Sequence, residues 1–299
     1  MYTPIEESEL IITPKGTIYH LDLAPYQLAK TIITVGDPGR VSEVSKHFDN
    51  IEHKAHHREF VSHTGHLGKK RITVIGTGIG PDNIDIVLNE VDALANIDFT
   101  TRHQKEDTTS LTIIRLGTCG SLQEDIPVGS FVVSTHGLGL DNLMHYYQFQ
   151  NTEEEKGIID DFKKHTGLSN VITPYIAEGS KYLASFFNEN YLHGITATCP
   201  GFYAPQGRVL RGAIAFPHLV ESLSTFKSGI HRILNFEMET SAIYGLGGIL
   251  GHQCLSINTA VAYRLHKKFS ADPKAAIHKM IMQSLEIIEK IPERNTDKI

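Results

Sequence analysis

The chain has 299 residues, a net charge of −6 and no long basic run. Nucleic acid is thereby excluded as a main partner, because phosphate backbones are held mainly through Lys and Arg neutralisation. At 40% apolar and 21% charged residues the composition is that of a soluble globular protein, and the apolar stretches are strand-length, too short to span a bilayer. Cys119, Cys199 and Cys254 are widely spaced and odd in number. They read as buried thiols of a reducing compartment, not as a disulfide frame. The first residues, Met1 to Glu7, lack the basic and then apolar run of a signal peptide, so a cytoplasmic location is expected. The histidines are scattered, without partner cysteines or HExxH spacing, and no metal site is expected from them.

In chain order, Tyr19-His20-Leu21 comes first and carries no signal alone. A β-rich run over 31–36 ends in Gly36-Asp37-Pro38-Gly39-Arg40, which opens a helical segment. Glycine there lets a ligand approach the backbone, and N–H groups at a helix start attract anions. Arg40 adds a forked, charge-assisted donor. His57-Arg58-Glu59-Phe60 reads as a charged strand edge before a glycine-rich turn. A strand over 71–76 runs into Gly76-Thr77-Gly78-Ile79-Gly80-Pro81. This is GxGxG followed by Pro, not the dinucleotide-binding GxGxxG. Helical spacing follows over 81–96, with Ile84, Val87, Leu88, Val91 and Leu94 on one face. The polar stretch 101–110 reads as an exposed helix end or loop.

The next strand, 111–118, contains Arg115 among apolar residues. An unpaired buried guanidinium is costly, so an anionic partner is expected, either a structural acid or a ligand. Thr118 and its flanking glycines read as a second anion-friendly turn at the strand end. Strands follow over 130–135, 171–177 and 194–198, with 151–156 acidic and solvated between them. Phe202-Tyr-Ala-Pro-Gln206-Gly-Arg208 then sets a carboxamide and a guanidinium beside two rings. Gln offers one acceptor and two donors, and Arg a planar fork of donors. A flat base with an edge of carbonyls and N–H groups, such as uracil, suits that set. In Asn235-Phe236-Glu237-Met238-Glu239 a short strand enters a helix over 237–250. Its two acids are too close in sequence to share a helix face, but one can face a pocket and accept from ribose hydroxyls. A last core strand over 253–262 and a helix over 272–291 complete the chain. Strand–helix alternation implies an α/β sheet covered on both sides. With no repeat and no linker, residues 1–299 read as one domain.

In this order, Gly-Asp-Pro-x-Arg, His-Arg-Glu-Phe, Arg-x-Gly-Thr and Phe-Glu-Met-Glu resemble the nucleoside phosphorylase family of purine and uridine phosphorylase type, with the uridine-specific branch the nearest match. The resemblance runs from about His20 to Arg264. It implies an α/β single domain with a central mixed β-sheet, partly barrel-like and flanked by helices. It also implies a pentosyltransferase that carries out reversible phosphorolysis of a nucleoside. By position, Gly36, Arg40, Arg115 and Thr118 resemble the phosphate site. Arg58 resembles the arginine a neighbouring subunit adds to it, and His20 the histidine that reaches across the same interface to the ribose 5′-hydroxyl. Met238 and Glu239 resemble the ribose site, and Phe202, Gln206 and Arg208 the base site. Arg115, Gln206 and Arg208 are thereby the catalytic candidates.

The implied partners are a nucleoside and inorganic phosphate, with no organic cofactor, in a homodimer or an assembly of dimers with shared sites. Some relatives hold a monovalent cation near the Gly-Ile-Gly loop. Here that loop continues Gly80-Pro81-Asp82-Asn83 instead of the relatives' Gly-Pro-Ser, so the cation is left open. The purine-cleaving branch carries an Asp just past the last core strand, whereas this chain reads Ala260-Val261-Ala262-Tyr263-Arg264, with no acid. That favours uridine over a purine. A purine or thymidine phosphorylase, a hydrolytic nucleosidase and a non-catalytic nucleoside sensor are the alternatives.

Overall fold

The computed structural model describes residues 3–168 and 171–293. Strand β1 (Thr31–Val35) is buried at every position, as expected of a strand covered on both faces. A turn through Gly36 leads into α1 (Gly39–Ser45). Strands β2 (Asn50–His57), β3 (Phe60–Leu67) and β4 (Lys70–Gly76) then pair in antiparallel order. His57–Phe60 is the tip of the β2–β3 hairpin, and Arg58 sits there at φ 54°. Helix α2 (Pro81–Asn96) has the bounds its periodicity predicts, with Ile84, Val87, Leu88, Val91 and Leu94 buried. Proline at its first position loses no helical bond.

After the short pair β5 (Ile97–Asp98) and β6 (His103–Gln104) comes β7 (Thr112–Ser121). It runs past the predicted end. Thr118 is therefore strand, not turn, because Thr259 of the strand Gln253–Tyr263 pairs with it. Next are β8 (Phe131–Gly139), α3 (Glu153–Thr166) and β9 (Tyr175–Glu178). The acidic stretch expected to be solvated is the start of α3. Thr152 Oγ1 accepts from the Glu155 amide, and Glu155 Oε2 accepts from that of Thr152, a reciprocal cap that leaves Glu155 buried. The predicted strand over 171–177 shortens to β9, since Val171 faces solvent and pairing with β8 begins at Tyr175.

The remainder comprises α4 (Lys181–Ala184), β10 (Tyr191–Thr198), α5 (Leu219–Thr225), β11 (Lys227–Ser228), β12 (His231–Glu237), α6 (Thr240–Ile249), β13 (Gln253–Tyr263), β14 (Lys268–Phe269) and α7 (Pro273–Lys290). Helix α6 starts later than its predicted 237, because Glu237 still pairs with β10.

All strands but β5 and β6 join one mixed twelve-stranded sheet; ten follow the order β11-β12-β10-β8-β13-β7-β1-β4-β3-β2, while β9 pairs with β8 and β14 with β13. The sheet also closes on itself. At its end β12 turns back on β7, pairing Asn235 with Ser121 and Phe236 with Gly120. Strands β7, β13, β8, β10 and β12 thus form a small barrel, and β1, β4, β3 and β2 fan out from it. Apolar side chains of α2 and α6, of α1, α4 and α7, and of α3 and α5 pack into three separate clusters around the sheet. Among the described residues, no helix is long and apolar enough to cross a membrane.

Candidate active site

The C-terminal ends of β1 and β7, the closure with β12 and the start of α6 surround a cavity of about 660 Å³. Carboxyl ends of strands are where ligands of α/β sheets gather, and this volume suits a small-molecule site. Three predicted sets line it together: first Gly36, Arg40, Arg115 and Thr118, second Met238 and Glu239, third Phe202, Gln206 and Arg208. His20 and Arg58 do not line it.

In the first set, Arg40 rises from the opening turn of α1 and donates to the Leu116 carbonyl (3.3 Å). Burial and the nearby Arg115 lower its pKa from the ordinary value. Arg115 is 5% exposed, and the anionic partners expected for it are Glu237 and Glu239. Its Nη2 donates to Glu239 Oε2 and lies 3.4 Å from Glu237 Oε2. Its Nη1 donates to Asn258 Oδ1 at 2.6 Å. Although burial acts against its charge, these carboxylates raise its pKa.

The two glutamates have different work. Glu237 accepts from the backbone N–H groups of Glu239 (2.9 Å) and Thr240 (3.0 Å) and from Thr198 Oγ1 (2.9 Å). It fixes the chain where β12 enters α6. Glu239 accepts from the Gly80 N–H (2.9 Å) besides Arg115. Gly80 has φ 101°, a conformation strained for any side chain-bearing residue. Burial pushes Glu239 above the usual carboxylate range, with Arg115 opposing.

Gln206 ends a 3₁₀ turn and is 3% exposed. Arg208 lies with its guanidinium carbon 3.7 Å from the Phe202 ring centre and donates to the Phe202 carbonyl (2.7 Å) and to Gln206 Oε1 (2.5 Å). Burial first, and then the charge of Arg264, push the Arg208 guanidinium down to about 10, so it keeps its charge at neutral pH. Arg264 was not singled out from the sequence. It donates to the Gln206 carbonyl (3.1 Å) and stands over Phe236. The available signal was a lone arginine closing an acid-free core strand. Glu59, Asn83 and Phe236 also line the cavity without having been picked out as pocket residues. So does Cys119, whose buried thiol is pushed up to about 12 and therefore stays protonated.

His20 and Arg58 are neighbours on the surface. His20 Nδ1 is 2.7 Å from Glu90 Oε1. Arg58 donates to the Tyr19 hydroxyl (3.0 Å), and Tyr19 stands edge-on to His20.

Residues 30–291 match the model of the phosphorylase superfamily. The chain belongs to the phosphorylase superfamily. It is 27% identical to the uridine phosphorylase of Thermococcus kodakarensis, over 96% of this chain and 91% of that one. It is likewise 27% identical to the uridine phosphorylase of Haemophilus influenzae, over 78% and 81%. A solved nucleoside phosphorylase of Trypanosoma brucei, described as showing uridine phosphorylase activity, superposes with a TM-score of 0.86. That pair shares 33% identity over 94% of this chain and 98% of the other. This superfamily member is a nucleoside phosphorylase, a pentosyltransferase acting on a nucleoside and phosphate without an organic cofactor.

Proposed function

We propose that this nucleoside phosphorylase cleaves uridine with inorganic phosphate, reversibly, giving uracil and ribose 1-phosphate. The observation that carries the base preference is the Gln206–Arg208 pair, stacked on Phe202 at the cavity wall. It presents donors to a base with carbonyl edges. The relatives that bear the uridine phosphorylase name support it.

Arg40 and Arg115, with Gly36 and Thr118, hold phosphate beneath the ribose, so the nucleophile is positioned and the charge of the transition state balanced. Met238 and Glu239 hold the ribose, with Glu239 accepting from its hydroxyls. A phosphate oxygen bonds to the anomeric carbon as the bond from that carbon to the uracil nitrogen breaks. The electron pair passes to the base, where Gln206 and Arg208 face the growing charge, and solvent protonates the released uracil. A monovalent cation is given no part in this.

Residues 1–299 act as one domain, and two copies complete each other's sites in a homodimer or an assembly of dimers. Arg58 and His20, side by side outside their own cavity, serve that of the partner. The enzyme works in the cytoplasm in pyrimidine salvage. Uracil release from uridine with and without phosphate, with inosine in parallel, tests the reading. Release that needs phosphate and spares inosine is expected. Equal release without phosphate would mean a hydrolase, and preferred cleavage of inosine a purine enzyme.

A further inference from the structure

Asn258 lies in the middle of β13, is fully buried, and stands opposite Gly117 of β7. A carboxamide is costly in such a strand unless its groups are matched. Here they are. Its Oδ1 accepts from Arg115 Nη1 at 2.6 Å. Its Nδ2 donates to Ser256 Oγ (3.2 Å), which also accepts from Thr240 Oγ1 (2.9 Å). The amide can face Arg115 only through its oxygen, because a guanidinium has no acceptor.

Gly117 makes this contact possible. A Cβ there would stand 1.6 Å from Arg115 Nη1 and 2.5 Å from Asn258 Oδ1. The Arg115 side chain therefore folds back over a bare stretch of its own strand to reach Asn258.

The charge of the third partner matters. With Arg40 close by, Glu237 and Glu239 already set two carboxyl groups against two guanidinium groups. A third carboxylate would leave the neighbourhood of Arg115 negative and hostile to an anion. A neutral amide fixes the fork without adding charge.

We propose that Asn258 is a positioning residue of the phosphate site. It holds the Arg115 fork in place for phosphate while adding no further negative charge beside it. Through Ser256 and Thr240 the same hydrogen bonds anchor Asn258 to the start of α6. This rests on the reading of Arg115 as a phosphate ligand.

The test is calorimetric titration of the full chain with inorganic phosphate alone, alongside steady-state kinetics. Asn258→Leu keeps the approximate shape and removes the acceptor. Asn258→Asp keeps the acceptor and adds charge. Each should weaken phosphate binding by about tenfold or more, the loss expected when a hydrogen bond to a charged group is spoiled. The KM for phosphate should rise in step, while that for the nucleoside stays within about threefold. Phosphate binding as tight as in the unaltered protein would overturn the proposal. So would an equal rise in both KM values, the mark of a merely structural role. Should Asn258→Leu fail to fold, Asn258→Asp decides by the same criteria. Failure of the unaltered protein to bind phosphate would instead refute the phosphorylase reading, and this inference with it.

Discussion

Arg208 and Gln206 are hydrogen-bonded to each other across the wall of the cavity, Nη1 to Oε1 at 2.5 Å. The contact occupies one of the two lone pairs of Gln206 Oε1. The carboxamide keeps the other lone pair and its Nε2 donors, beside the remaining donors of Arg208. The pair is thus rich in donors with one acceptor among them, matched to a base edge of carbonyls and an N–H. Cytosine shows an amino group where uracil has O4, and a donor would meet a donor. Leaving such groups unpaired costs about 1–3 kcal/mol, so cytidine should be a very poor substrate in a direct comparison with uridine. Arg208→Ala should lower kcat/KM for uridine by about 10²-fold or more, the usual loss for one charge-stabilising donor, with little change in melting temperature. Near-unchanged uridine cleavage by that variant would remove the base-site assignment.

Phosphate dependence tests the other end of the cavity. Arg40 stands in the opening turn of α1 with its guanidinium close to Arg115. Both guanidiniums offer forked N–H donors from which an anion can accept. Arg40→Ala should raise the KM for phosphate by about tenfold or more while leaving that for uridine nearly unchanged. Activity of the unaltered enzyme should vanish in phosphate-free buffer and return with arsenate.

Arg58 and His20 sit together on the surface, outside the cavity of their own chain. Arg58→Ala should leave the proposed dimer intact by sedimentation and raise the requirement for phosphate. Mixed with Arg40→Ala, it should regain part of the lost activity, because a hybrid dimer has one site with neither change. If subunits exchange and the mixture is no more active than its components, each site is served by a single chain.

The pH profile should carry the mark of Glu239. Its carboxyl is pushed above the ordinary range by burial, and its ionised form is the one that pairs with Arg115 and, in the proposed function, accepts from ribose hydroxyls. As pH falls through that raised value the group takes up a proton, loses its charge and turns one acceptor oxygen into a donor. The acid limb of kcat/KM should therefore lie above the usual glutamate pKa of about 4.3. Activity should be full on the alkaline side of it. Glu239→Gln should be much less active throughout and should lack that limb.

Local pattern determined a good deal by itself. The spacing of Ile84, Val87, Leu88, Val91 and Leu94 yields α2 with its bounds, because that periodicity is a property of the segment. The order of glycine-flanked arginines and the Phe-Glu-Met-Glu run pointed to the family that residues 30–291 match. Arg115 in an apolar strand demanded an acid, as the cost of a bare buried charge requires.

Only the tertiary structure decided which acids answered it. Glu237 and Glu239 lie more than a hundred residues away and reach Arg115 because β12 closes on β7. Strand register, too, decided that Thr118 is strand and that Gly117 faces Asn258. Asn258 carries no signal within its own segment, so nothing nearby in sequence singles it out. Its place at the site comes from pairing between β13 and β7, strands distant in the chain, and local periodicity does not encode that pairing.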